Sequence, residues 1–221
     1  MMDLYKLFTL VFDATVQTMI MVFLSTLFSV VMGLPLGVLL CITAPETGIY
    51  PRPILNQVLT RIVNVLRSFP FIILMILLFP LSRVLIGTSI GTRATIVPLS
   101  IAAAPFVARV IETALKEVDP GVVQAARSMG STLMQIITKV LLPEAMPSLI
   151  DGITLTVINL IGYSAMAGAI GGGGLGDLAI RYGYQRFRTE VMVAAVVVIL
   201  VLVEVIQFTG TKISNRIISK R

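Results

Sequence analysis

Long apolar stretches alternate with shorter polar ones along the whole chain. A helix needs about 20 mostly apolar residues to cross a hydrocarbon core that is about 30 Å thick. Stretches of about that length predict five transmembrane helices, at residues 14–43, 62–82, 94–115, 149–170 and 191–211. We therefore expect an all-α integral membrane protein that forms a single domain over residues 1–221.

The composition agrees with this pattern. Of the 221 residues, 57% are hydrophobic and 13% are charged, and the mean hydropathy is +0.99. Soluble domains carry roughly 25% charged residues, so this chain is poor in water-compatible surface. The formal net charge is +6, but the basic residues flank apolar stretches and form no stripe interleaved with aromatic residues. Such flanks are typical of membrane orientation and not of nucleic-acid binding.

The basic residues also predict which way the helices cross the membrane, because Lys and Arg accumulate on the cytoplasmic side. With the N-terminus outside, 11 of them fall on the inner side: Arg52, Arg61, Arg67, Arg109, Lys116, Arg127, Lys139, Lys212, Arg216, Lys220 and Arg221. Six fall on the outer side: Lys6, Arg83, Arg93, Arg181, Arg186 and Arg188. This bias predicts an outside N-terminus and a cytoplasmic C-terminus.

The residue inventory excludes several kinds of chemistry. The chain has no histidine and one cysteine, Cys41, so it lacks His-based catalytic triads and soft ligands for a transition metal. No GxxxxGK(S/T) phosphate loop is present. We expect a protein that is not an enzyme, with no catalytic residue, no metal site and no cofactor of its own.

One polar, helix-forming segment, residues 119–147, interrupts the apolar pattern. Asp119 followed by proline is typical of a helix start, and Gly130 of a left-handed helix stop. Ser131 is the expected cap of a second helix, which Pro143 is expected to end. The segment is therefore predicted to be a bent, amphipathic helix pair at the cytoplasmic surface.

Two roles fit such a helix pair. It could be a connector that rests on lipid headgroups. Alternatively, it could be a protruding surface that docks on another protein. In that case Ala125 and Ala126 would allow the partner's surface to come close, and Gly130 would set the turn between the two helices.

The spacing within the segment favours the second role. The segment resembles the EAA–G–I-LP signature of ABC importer permeases. It has Gln124-Ala125-Ala126, then Gly130 after three residues, Val140 after nine more, and Leu-Pro after one more. The chain departs from that signature with Gln124 for Glu and Val140 for Ile. In that family the segment is the coupling helix, which docks in a groove of a cytoplasmic ATPase. The resemblance implies ATPase-coupling roles for Gln124, Ala125, Ala126, Ser128, Met129, Gly130, Leu142 and Pro143.

Four further stretches resemble the permease subunit of bacterial methionine importers: VNVLRSFPFIILMILLFP, IGTSIGTRATIVPL, AAPFVARVIETAL and IGYSAMAGAIGGGGLG. This resemblance covers nearly the whole chain and implies the type I ABC importer permease fold in the bacterial inner membrane. It further implies a multi-pass subunit that translocates methionine, of D or L configuration. The implied partners are a second copy of the chain, two copies of an ATPase that binds ATP and Mg, and an extracytoplasmic methionine-binding lipoprotein.

A substrate path is expected along the fourth predicted helix, where small residues allow close helix packing. Tyr163 and Ser164 offer hydroxyl groups, and Met166 offers a polarizable thioether that suits another thioether. Core packing or lipid contact would equally explain Met166. Beyond this helix lies a loop of four glycines, expected to be either a flexible turn or a loop that yields when a binding protein docks: Gly171, Gly172, Gly173 and Gly174.

Ionisable residues within predicted membrane helices suggest rival functions. Glu204 or Arg67 could couple transport to protons, which would make the chain an ion-driven secondary transporter. Against this role, Arg67 could anchor a helix end, and water or Arg109 could satisfy Glu204 near the cytoplasmic end of its helix. The same apolar pattern also fits a permease for another small apolar amino acid, or a structural subunit that transports nothing.

Overall fold

The computed structural model describes residues 4–219, which contain α-helices and two π-helical turns but no β-strand. The helices are α1 (Leu4–Ile42), α2 (Pro53–Ser68), α3 (Phe71–Ile86), α4 (Thr92–Lys116), α5 (Pro120–Ser128), α6 (Leu133–Ile136), α7 (Leu142–Glu144), α8 (Met146–Gly168), α9 (Gly174–Leu178) and α10 (Thr189–Ile218). The π turns are Ile137–Leu141 and Ala179–Tyr184. Lys220 and Arg221, which the orientation prediction counts on the inner side, lie outside the described residues.

Four of these helices, α1, α4, α8 and α10, are long and apolar enough to cross a membrane. The fifth span expected over residues 62–82 is not one straight helix, because α2 and α3 meet at an angle of 102°. Pro70 explains the break, since proline has no N–H for the helix and disfavours helical backbone at the preceding residue, Phe69. The prediction of one regular helix over 62–82 is therefore wrong, although the bent pair can still act as a broken span.

The chain divides into two compact units. Unit 1 contains the described residues up to Ser29, together with Phe69–Ala103 and Thr156–Gln207. Its core includes Met21, Leu99 and Leu160, which are fully buried. A second cluster of the same unit packs α1 residues with Leu175 and Val191.

Unit 2 contains Val30–Ser68, Ala104–Leu155 and the described residues from Phe208 onward. Its core joins α1, α4 and the polar segment through buried residues that include Val107, Ile111, Leu115, Ile136 and Leu141. Close helix packing depends on glycine: a Cβ at Gly37 of α1 would lie 2.6 Å from the Ala108 carbonyl oxygen of α4. Gly37 therefore lets the two backbones approach, as small residues do between membrane helices.

Large apolar side chains are exposed along the long helices. Phe8 and Phe23 of α1, Leu77 of α3, and Leu200 and Phe208 of α10 are all exposed. A soluble protein rarely leaves so much contiguous apolar surface in water. This exterior fits a lipid environment, in which helices satisfy their own backbone hydrogen bonds.

Candidate functional site

The polar segment begins with a well-formed helix cap. The Asp119 side chain accepts a hydrogen bond of 2.7 Å from the Gly121 N–H, and Pro120 occupies the first turn of α5. Both features are favourable at a helix N-terminus, because they satisfy or remove donors that have no partner within the helix. The predicted start of this helix is confirmed.

The turn after α5 is a Schellman motif centred on Gly130. The Gly130 N–H donates to the Arg127 carbonyl at 2.9 Å, and the Ser131 N–H donates to the Ala126 carbonyl at 3.1 Å. Gly130 has a φ of 79°, in the left-handed region that favours glycine. The predicted left-handed stop at Gly130 is confirmed.

The residues of the signature divide into an exposed group and a buried one. Gln124, Ala125, Ser128 and Met129 are exposed on α5 and its C-terminal end. Ala126, by contrast, is 4% exposed and belongs to the core of unit 2. The expectation that Ala126 lies at a docking surface is therefore wrong. Its methyl group packs inward and ties α5 to the core.

The second half of the segment differs from the prediction at both of its ends. Thr132, and not Ser131, caps α6: its Oγ1 accepts from the Gln135 N–H at 3.4 Å, while Gln135 Oε1 accepts from the Thr132 N–H at 2.8 Å. This reciprocal pair is a capping box. Pro143 does not end the helical run either, because it occupies the first turn of α7, where its missing N–H has no intrahelical role. The π turn Ile137–Leu141 precedes it.

A buried ion cluster lies on the last turns of α4. Glu112 accepts from Arg109 at 2.6 Å through Oε2 and from Lys116 at 2.7 Å through Oε1. The Glu112 side chain is 4% exposed, so its charge depends on these two cations. Arg109 also donates to Asn64 Oδ1 of α2 at 2.8 Å, which joins α2 to α4. The sequence indicated that Arg109 and Glu112 share a helix face, but it did not indicate the role of Asn64.

Glu204 of α10 has an exposed side chain, which agrees with the expectation that water can satisfy it. Arg109 itself donates to Glu112 and Asn64. The Arg67 guanidinium lies 5.9 Å from the centre of the Phe106 ring, a cation–π contact at the end of α2. Among the described residues, no group of three or more His, Cys, Asp or Glu side chains could hold a metal ion.

The expected path residues on α8 have three different environments. Tyr163 is half-buried and stacks on Phe71, with ring centres 4.2 Å apart. Met166 is 51% exposed. Ser164 is buried, and its hydroxyl donates to the Ile161 carbonyl of its own helix at 2.7 Å. The structure therefore leaves Tyr163 and Met166 accessible but not Ser164, so the expectation that Ser164 lines a path is not met.

The four-glycine loop is held firmly within unit 1. The Gly174 N–H donates to Gln17 Oε1 at 3.0 Å, and the Leu175 N–H donates to Thr18 Oγ1 at 2.9 Å. The Gly91 N–H donates to the Gly171 carbonyl at 3.0 Å. Gly171, Gly173 and Gly174 all have positive φ, which explains why glycine recurs here.

Sequence reasoning missed the two polar residues of α1 that hold this loop. Gln17 and Thr18 are polar residues of a mostly apolar helix, and their polarity is the signal that could have indicated them. Their partners lie 157 residues away along the chain, so no local pattern could have named the loop.

The chain is similar to proteins of one kind over nearly its whole length. A family model described as binding-protein-dependent transport system inner membrane component matches residues 33–220. The probable D-methionine transport system permease protein MetI of Vibrio cholerae is 49% identical over 208 residues, which are 94% of this chain and 92% of that protein. The methionine import system permease protein MetP of Bacillus subtilis is 50% identical over 174 residues, 79% of this chain and 78% of that one. A solved structure of the MetNI methionine ABC transporter in inward facing conformations contains a chain with a TM-score of 0.93 and 46% identity, covering 98% of this chain and 99% of that one.

Proposed function

Because the chain belongs to the family of binding-protein-dependent transport system inner membrane components, we propose that it is the methionine-translocating permease subunit of an ATP-driven importer. The resemblance to methionine importer permeases is confirmed by relatives that carry this function in their names. The chain is a multi-pass, all-helical protein of the inner membrane with the fold of a MetNI permease chain. Methionine is the proposed substrate in preference to other small apolar amino acids, because both relatives are named for it.

The coupling proposal rests on one observation, the division of the polar segment into exposed and buried residues. Its outer face presents Gln124, Ala125, Ser128 and Met129, while Ala126 anchors the same helix in the core. A partner ATPase that binds the outer face and moves would therefore displace the buried residues of the same helix as well. This is the role that the sequence signature implies for a coupling helix.

The core of unit 2 offers a route for that motion. Ala126, Ile136 and Leu141 of the segment share one cluster with Leu115 of α4 and Leu149 of α8. Packed side chains transmit displacement well, because protein interiors have little free space. A shift of the segment would thus move α4 and α8, and α8 carries Tyr163 and Met166 further along its length. These two residues are the proposed path or gate for methionine.

The proposal assigns no bond-making or bond-breaking to this chain. ATP hydrolysis would occur in two partner ATPase subunits, which would hold ATP and Mg. A second copy of the chain would complete the path, and an extracytoplasmic binding protein would deliver methionine beside the Gly171–Gly174 loop. The family membership supports this assembly over an ion-driven carrier centred on Glu204 and over a purely structural subunit.

The experiment is a pull-down with a matched control. The tagged chain is co-expressed with the proteins encoded by its genomic neighbours, as wild type, Gly130→Pro and Gly87→Pro. Gly87 is the matched control, because its φ is 85° and that of Gly130 is 79°. The N–H of each glycine donates to a backbone carbonyl at 2.9 Å. Proline cannot adopt a positive φ and has no N–H, so each variant loses one helix-ending turn.

The expected result is that the ATPase co-purifies with wild type and Gly87→Pro but not with Gly130→Pro. Equal loss in both variants would mean that the whole fold suffers and that the polar segment has no special role. An ATPase absent even from the wild-type eluate would overturn the coupling proposal.

A further inference from the structure

Unit 2 contains a cavity of about 500 Å³ to which the proposed function assigns no ligand, although Gln124 of the proposed ATPase-facing surface is among its lining residues. It lies among the end of α1, the loop after α1, the end of α4 and helix α5. Its apolar wall includes Cys41, Leu115, Val123 and Leu141. The charged side chains that line it are Glu46, Lys116 and Arg127. An apolar wall with charges of both signs is a binding surface for an amphiphile.

The loop wall of the cavity is rigid. The Gly48 N–H donates to the Ala44 carbonyl at 3.1 Å, and the Tyr50 N–H donates to the Ile42 carbonyl at 2.9 Å. A Cβ at Gly48 would lie 2.5 Å from the carbonyl oxygens of both Ala44 and Ile42, so only glycine fits this turn. Glu46 is thus carried by a preformed turn and needs little ordering when a ligand binds.

The charges on the cavity are available to a ligand. Within residues 4–219, the side chains of Glu46 and Arg127 make no hydrogen bond or ion pair, and both are exposed. Lys116 donates to Glu112 through one of its three N–H groups, which leaves donors for a second acceptor. Two cations and one carboxylate therefore border the cavity, and only Lys116 already has a partner.

The position of the cavity along the helices indicates what kind of amphiphile reaches it. The candidate span of α1 ends at Ile42, and that of α4 ends at Lys116. The cavity adjoins both helix ends, which the distribution of basic residues predicts to lie on the cytoplasmic side, near the lipid headgroups. Basic pockets at this depth are known to recognise phosphate headgroups.

We propose that this cavity binds the headgroup of a phospholipid whose phosphate is followed by a primary ammonium group, as in phosphatidylethanolamine. The phosphate would contact Lys116 and Arg127, and the ammonium group would contact Glu46. The start of an acyl chain would cover the apolar wall at Ile49 and Val123, which are both partly exposed. Such a lipid would link α5 of the polar segment to the loop after α1, and so would tie the segment to the membrane surface.

The test measures lipid binding to the full-length chain by native mass spectrometry in mild detergent. The probes are phosphatidylethanolamine, phosphatidylglycerol, phosphatidylcholine and inorganic phosphate. The variants are Arg127→Gln and Glu46→Gln, with Arg61→Gln as the control for loss of an exposed charge outside the cavity. Size-exclusion profiles check that every variant remains folded.

The proposal expects wild type to prefer phosphatidylethanolamine over the other three probes. Arg127→Gln should weaken its binding roughly tenfold, the effect of one lost hydrogen bond to a charged group. Glu46→Gln should weaken phosphatidylethanolamine but not phosphatidylglycerol, which has no ammonium group. Arg61→Gln should bind as wild type does.

Three results would overturn the proposal. If Arg127→Gln and Arg61→Gln bind phosphatidylethanolamine equally well, the cavity is not the lipid-binding site. An unchanged lipid preference in Glu46→Gln would remove the ammonium contact. Displacement of the lipid by inorganic phosphate at equal concentration would assign the cavity to free phosphate instead.

Discussion

The ion cluster on α4 leads to a prediction about stability. Glu112 is buried and accepts hydrogen bonds from Arg109 and Lys116, whose side chains are 26% and 43% exposed. Replacing Glu112 by Gln leaves two neighbouring cations without their shared carboxylate. Removing one partner of a buried ion pair costs about 3–5 kcal/mol of unfolding free energy. Because both cations can partly rehydrate, we expect the lower end, about 3 kcal/mol.

The size of the effect can be measured as a change in melting temperature. For a chain of 150–250 residues, 1 kcal/mol shifts the melting temperature by about 2–4 °C, so Glu112→Gln should lower it by roughly 6–12 °C. The assay heats the detergent-solubilised protein and measures the fraction that remains monodisperse by size-exclusion chromatography. Lys116→Gln should shift it much less, because Arg109 still neutralises Glu112.

The matched control is an ion pair of similar spacing at a more exposed place. Asp177 pairs with Arg181 four residues along, and the Arg181 side chain is 52% exposed. Exposed pairs contribute at most about 1 kcal/mol, so Asp177→Asn should lower the melting temperature by no more than about 4 °C. If Glu112→Gln and Asp177→Asn produce equal shifts, burial of the cluster does not determine its contribution, and the reasoning is refuted.

Four other variants test the remaining parts of the structure. Gly174→Ala should destabilise the protein by more than about 1 kcal/mol, because φ is positive and the new Cβ would lie 2.6 Å from Thr18 Oγ1. Gly162→Ala, which meets open space within a helix, should instead stabilise it by about 0.5–1 kcal/mol in the same melting assay. Glu204→Gln should keep most ATP-driven methionine uptake in proteoliposomes, and its abolition would favour ion coupling. Met166→Ala should change methionine uptake in proteoliposomes relative to wild type; uptake of methionine and its analogues that is unchanged from wild type would remove Met166 from the path.

The sequence by itself determined the features that depend on local chemistry. The length of the apolar stretches indicated the membrane helices, and four of them occur as long helices in the structure. The Asp119 cap and the left-handed Gly130 were also predictable, because each depends on backbone conformation within a few residues. The signature around Gln124 indicated the family, since its spacing is itself a local pattern.

Tertiary structure decided which side of each element is buried and which distant groups meet. Ala125 and Ala126 are chemically identical neighbours, yet one is exposed and the other is in the core. Gln17 and Gly174 meet across 157 residues, and α2 and α3 meet at 102°. Periodicity reports an average environment along one helix, whereas burial and hydrogen bonding depend on the neighbours that other parts of the chain bring alongside it.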